Sequence, residues 1–69
     1  MAVKDTAVAA QDPDPRRGLR GVRALRELAD RLEILQVERA RDEGWSWQEI
    51  ADQLGVSRQA AHKKHGRGR

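Results

Sequence analysis

The stretch that most constrains what this chain can fold into is Gly44–His65, GWSWQEIADQLGVSRQAAHKKH. Ser46 is followed three residues later by Glu49, then by Ile50 and Ala51. This spacing is a capping box: the serine hydroxyl accepts from the Glu49 N–H, and the Glu49 carboxylate accepts from the Ser46 N–H. Trp45 lies just before the cap and Ile50 at the fourth helical position, the two ends of a hydrophobic staple. Trp45 is therefore expected to pack on Ile50 as core, and Trp47, at the first helical position, to be the more exposed of the two, either partly buried against the first helix or with its indole N–H turned to a phosphate. Ile50, Ala51 and Leu54 share one face at helical spacing. Gly55 ends the helix, because glycine takes the left-handed conformation past a helix terminus at little cost. Val56 is expected to turn back toward the core. Ser57 is a second N-cap. The expectation is two short helices, about 47–54 and 58–65, crossing steeply with small Ala51 at their closest approach.

On the second helix, 100° per residue places Arg58, Gln59, His62 and Lys63 on one polar, basic face. Ala60, Ala61 and Lys64 fall on the other, which is small enough to dock on a core. The run G-W-S-W-Q-E-I-A-x-x-L-G-V-S-R, with Ala61 behind it, resembles the helix-turn-helix DNA-binding family. It looks most like the homeodomain-like trihelical branch, which includes region 4 of sigma factors and the DNA-binding domains of invertases. It is also similar to short stand-alone actinobacterial helix-turn-helix proteins. The resemblance covers about residues 34–66. It implies an all-α fold, double-stranded DNA as partner, and a role in transcription regulation in a bacterial cytoplasm, at the nucleoid. Two positions depart from the family pattern. Ala61 is smaller than the usual Val or Ile, and Lys64 stands where an apolar residue is common. Both imply a thinly packed recognition helix.

Charge points the same way. The 69 residues carry a net charge of only +3, unevenly spread. Residues 57–69 hold Arg58, Lys63, Lys64, Arg67 and Arg69 and no acid, whereas residues 44–56 hold Glu49 and Asp52 and no base. The positive end is the second helix and its tail, the footprint expected of a phosphate-binding surface. Arginine is the usual bidentate partner of guanine and glutamine of adenine. Arg58 and Gln59 lie in the first turn, which enters the major groove deepest in this motif. Ser57 and Lys63 are better placed for phosphate, His62 for either, and the Trp47 indole N–H for a phosphate at the start of the preceding helix. Gly66-Arg67-Gly68-Arg69 reads as a flexible phosphate-binding tail, 67–69. The predicted DNA-contact set is thus Ser57, Arg58, Gln59, His62, Lys63, Arg67 and Trp47.

Upstream, residues 1–18 are expected to be a disordered leader, since they are small and polar and D-P-D-P resists both helix and sheet. Arg16, Arg17 and Arg20 have either a loose phosphate-binding or solvent role or, as the resemblance to homeodomain-like proteins implies, that of a minor-groove arm. Val22 to about Asp42 reads as one long helix, laced by opposite charges at i,i+4 such as Arg23–Glu27. Its apolar residues form two stripes. Leu25, Leu28, Leu32 and Leu35 follow the 3-4-3 spacing of a coiled-coil seam. Ile34, Val37 and Ala40 form the second stripe, roughly 160° away. The second is nearest Gly44 and is expected to cover the helix-turn-helix. The leucine seam then either folds onto the back of the two following helices or takes another partner, and twofold dimers read operators with two half-sites. The alternative is a protein-interaction adaptor, in which the leucine-rich helix docks a partner protein and DNA binding is secondary.

The same residues argue against other classes. No cysteine is present, so there is no disulfide and no cysteine zinc site, which fits a reducing compartment. His62 and His65 are spaced i,i+3, but no cysteine or carboxylate lies nearby in sequence to complete a metal site. The first residues lack the basic start and long apolar run of a signal peptide, and no stretch approaches the ~20 apolar residues of a membrane span. No nucleophile is paired with a base, no glycine loop cradles a phosphate, and the chain leaves no room for a pocket. The reading is therefore an all-α, three-helix helix-turn-helix domain over 19–66 with a long first helix, not an enzyme, with no cofactor, metal, small-molecule substrate or membrane partner. It binds duplex DNA as a homodimer or with a helical partner protein.

Overall fold

The computed structural model describes residues 3–66. Among them are four α-helices and no strand: α1 (Val3–Ala10), α2 (Pro15–Asp42), α3 (Trp47–Leu54) and α4 (Arg58–His65). The chain divides into two compact units, residues 1–32 and 33–69. α2 runs unbroken through the boundary and gives a helical stretch to each.

The first unit corrects the expectation of a disordered leader. Val3–Ala10 is helical, and α2 begins at Pro15, not Val22. Three alanines in VKDTAVAA give α1 good intrinsic propensity, and Thr6 is buried. The D-P-D-P segment, read as a breaker, is a helix start. Asp14 Oδ1 accepts from the Arg16 N–H at 2.9 Å, and the Asp14 carbonyl accepts from Gly18 N–H at 2.8 Å. Asp14 is thus the N-cap, and Pro15 takes the first helical position, where its missing N–H costs nothing. Asp12 braces the cap by accepting from the Asp14 N–H at 2.8 Å. Gly21 lets the two helices touch: a Cβ there would lie 2.4 Å from the Ala10 nitrogen. Farther along α2, Arg23 and Glu27 form the expected i,i+4 pair at 3.2 Å, highly exposed and therefore worth little.

The second unit is the helix-turn-helix with the end of α2 as its first helix. α2 ends at Asp42, and just beyond it Gly44, with φ of +87°, turns the chain left-handed. The Gly44 N–H then bonds Arg41 C=O at 3.0 Å, and the Trp45 N–H bonds Ala40 C=O at 2.9 Å, satisfying carbonyls the helix end would otherwise leave open. α3 opens with both arms of the capping box in place. Ser46 Oγ accepts from Glu49 N–H at 3.1 Å, and Glu49 Oε1 accepts from Ser46 N–H at 2.9 Å. That backbone N–H, helped by the Ser46 side chain, holds the Glu49 carboxyl below its ordinary pKa. Gly55, with φ +73°, closes α3, and the Val56 N–H returns to Ala51 C=O at 3.1 Å. Ser57 caps α4 by accepting from the Ala60 N–H at 3.1 Å.

The buried apolar core consists of Val37, Ile50, Ala51 and Ala61. It is thin, and several apolar residues expected in it lie outside. Val56 is 45% exposed, because the left-handed turn at Gly55 leads the chain directly to the Ser57 cap. Ala60 is exposed, leaving Ala61 as the one α4 residue buried in this core. Ile34 is 51% exposed. At the adjacent position of α2, Glu33 pairs with Lys64 and His65 of α4.

Candidate nucleic-acid interface

α4 presents the polar face laid out by its helical phase. Arg58, Gln59, His62 and Lys63 are all exposed. The Ser57 hydroxyl is engaged in capping, which fixes the start of this helix. With Ala61 turned into the core, the basic face is held outward. Arg67 and the rest of the 67–69 tail lie outside the described residues.

Trp45 departs from its expected place in the core, and the order of exposure of the two tryptophans is the reverse of the expected one. Trp45 is 36% exposed at the lip of a hollow it lines together with Ile50. An indole closing one side of an open hollow keeps its other side in solvent. Trp47 is half-buried. The Arg41 guanidinium lies 4.8 Å from the centroid of its ring, and His62 meets it edge-on at 5.2 Å and 73°. Arg41 is further fixed by donating Nη1–H to the Trp45 carbonyl at 2.8 Å. Trp47 therefore links the end of α2 to the exposed face of α4, and His62 is positioned by a ring contact. Arg41 carries no functional expectation from sequence. Its only local signal is the i,i+4 reach to Trp45.

A second polar contact sets the far end of α4. Glu33 Oε2 accepts from Lys64 Nζ at 3.0 Å and from His65 Nε2 at 2.5 Å. The His65 side chain is only 6% exposed, Glu33 23% and Lys64 55%. Burial raises the Glu33 pKa, but hydrogen bonds and charge from Lys64 and His65 outweigh it, so the carboxyl sits below its ordinary value. Lys64, placed on the docking face where the family prefers an apolar residue, docks by this ion pair. The two histidines have separate tasks, His62 against Trp47 and His65 against Glu33. Among the described residues, no group of three or more His, Cys, Asp or Glu could hold a metal ion.

The sequence leaves no room for a pocket, yet an open hollow of about 360 Å³ lies between α2 and α3. Val37, Ala40, Trp45, Ile50 and Leu54 line it, with Arg39 and Glu43 on the α2 side. It exists because Ala40 is too small to fill the gap and Trp45 stays at the rim. Among the described residues, no helix is long and apolar enough to cross a membrane.

Residues 25–64 match the model of the homeodomain-like domain. The chain belongs to the homeodomain-like family. The match begins at Leu25, runs through the lower part of α2, and ends at Lys64 in α4, so it takes in the whole capped helix-turn-helix. The homeodomain-like assignment supports DNA as a partner of the domain. No curated protein and no solved structure matches the chain.

Along α2, the leucine seam is only partly covered. Leu25 and Leu28 are half-buried, whereas Leu32 and Leu35 are 48% and 42% exposed.

Proposed function

We propose that this homeodomain-like domain is a sequence-specific double-stranded DNA binder that regulates transcription as a dimer, with α4 in the major groove. One observation carries the reading. Arg58, Gln59, His62 and Lys63 stand exposed on a helix that Ser57, Gly55 and Ala61 fix in place, inside a domain of this family. Arg58 and Gln59, in the first turn, read base edges, while Ser57 and Lys63 hold phosphates. Trp47, half-buried between Arg41 and His62, contributes by steadying His62 and by offering its indole N–H at the start of α3. Arg67 adds charge at the tail.

The dimer part of the proposal draws on Leu32 and Leu35, apolar and solvent-facing on a helix of 28 residues. A single eight-residue helix whose outward face carries two firm cations, Arg58 and Lys63, makes few phosphate contacts, so one copy binds weakly. Two copies on two half-sites add their contacts. The same leucines equally suit a helical partner protein, the adaptor reading, in which DNA affinity matters less.

Duplex affinity measured across a salt series tests the DNA reading. Arg58→Ala is expected to cost about 1–3 kcal/mol and relax sequence preference, and Lys63→Ala to lower the salt slope by about one. Unchanged duplex affinity in both variants overturns it.

A further inference from the structure

We propose that two copies of this chain pair antiparallel through α2, about a twofold axis between Leu32 and Leu35, with Arg31 of each facing Glu38 of the other. The inference rests on the dimer reading above and fixes its geometry.

The starting observation is which part of the seam is open. The 3-4-3 repeat of Leu25, Leu28, Leu32 and Leu35 extends backward to Gly21 and Gly18 in the same phase. At that end the chain covers itself: α1 lies against Gly21, where a Cβ would meet the Ala10 nitrogen at 2.4 Å. Exposure then rises along the helix, from half-buried Leu25 and Leu28 to Leu32 and Leu35 at 48% and 42%. A second copy therefore has its apolar target at Leu32 and Leu35. The simplest way for two identical helices to cover that pair is to set Leu32 of each on Leu35 of the other.

Charge chooses the direction. With the leucines at the two seam positions of the heptad, Arg31 and Glu38 occupy the flank on one side, and Gln36 and Glu43 the flank on the other. Arg31 and Glu38 are both exposed. In an antiparallel pair like flanks face each other. Centring on Leu32 and Leu35 brings Arg31 against Glu38 of the second copy, twice by symmetry. The next layer sets Leu28 against Arg39, whose aliphatic stem can lie over a leucine. In a parallel pair the flanks cross, and Glu38 falls beside Glu43 of the second copy. The antiparallel form thus gains two opposite-charge pairs where the parallel form has two like-charge pairs.

The geometry also serves two half-sites. Asp42 ends α2 about 8–9 residues from the proposed axis, so at 1.5 Å per residue the two helix ends stand about 25 Å apart along the pair. A parallel pair would hold them within about 10 Å. Half-sites one DNA turn apart, about 34 Å, suit the wider separation.

The test is sedimentation equilibrium on the full chain, with helicity followed by circular dichroism. Glu38→Arg sets Arg31 against an arginine in the antiparallel pair and is expected to weaken dimerisation about five- to tenfold. The swap Arg31→Glu with Glu38→Arg restores it, which unfolding by either change would not allow. A dimer that Glu38→Arg strengthens is parallel, and one that it leaves unchanged pairs elsewhere; either result overturns this geometry while the dimer reading stands. A wild-type chain that stays monomeric at high concentration removes the dimer reading and this geometry with it, and leaves the DNA test of α4 untouched.

Discussion

Replacing Glu33 by glutamine isolates what fastens the C-terminal end of α4. The carboxylate is the shared acceptor for Lys64 at 3.0 Å and His65 at 2.5 Å. The Lys64 arm is more than half exposed, which limits it to about 0–1 kcal/mol. The His65 arm is nearly buried on the histidine side, and a hydrogen bond to a charged group is worth about 1.5–3 kcal/mol. Glutamine keeps an acceptor oxygen but loses the charge, so about half of that survives. The expected cost of Glu33→Gln at pH 7 is about 1–2 kcal/mol, or about 5–15 °C in melting temperature for a domain of this size. The pH dependence follows from the depressed Glu33 pKa. A carboxyl lowered on folding adds stability that is fully present above its unfolded pKa and is lost as pH falls through the folded one. Wild type and Glu33→Gln should therefore differ at pH 7 and converge in acid. Thermal melts by circular dichroism at both pH values measure this. His65→Ala should match or exceed Glu33→Gln, and Lys64→Ala should cost least. Equal melting of wild type and Glu33→Gln at pH 7 refutes the argument, as does a Lys64→Ala loss as large as that of His65→Ala.

Two further substitutions probe single glycines. Gly21→Ala puts a methyl 2.4 Å from the Ala10 nitrogen, so α1 must move off α2. Hydrogen exchange should then show protection lost across Val3–Ala10 and kept across α3 and α4; retained α1 protection contradicts the contact. Gly55→Ala forces alanine to φ +73° at a cost of about 1–2 kcal/mol by chemical denaturation, and Gly55→Asn should cost less. Equal losses for alanine and asparagine would mean that something other than backbone conformation sets the requirement there.

What sequence revealed divides by range. Ser46 with Glu49, Gly55 and Ser57 obey rules whose partners lie within four residues, and each bond they imply is in the structure. The homeodomain-like fold was legible for the same reason. Glu33 with His65 was not: the two are 32 residues apart, and nothing local marks either as the other's partner. Trp45 was placed by a staple rule that assumes the residue before the cap can bury itself. The rule got the direction right, since Trp45 lines the same hollow as Ile50, but could not foresee that Arg41 and His62 would enclose Trp47 instead. The leader was misread because the prolines of D-P-D-P were taken only as breakers. Pro15 sits where a helix tolerates it best, and Gly21 is where α1 needs the space. Leu32 and Leu35 belong to the seam read from spacing, but spacing could not say which of the four leucines the chain would cover itself.

The thin core changes how the exposed basic face of α4 must be probed. Val37, Ile50, Ala51 and Ala61 include two alanines, so apolar burial in this unit is small and polar contacts carry more of the fastening of α4. Two of those contacts fall on residues of the basic helix itself, Trp47 on His62 and Glu33 on Lys64 and His65. Removing His62 therefore takes away a candidate base or phosphate contact and a ring that steadies the helix in one step. A loss of affinity in His62→Ala cannot be divided between the two without a matched stability measurement. Arg58 and Lys63 are exposed neighbours of these residues, and the ring and ion-pair contacts described above fall beside them rather than on them. Their substitution changes charge at the surface with the least disturbance to packing, and so they, rather than the more conspicuous histidine, decide whether this face meets DNA.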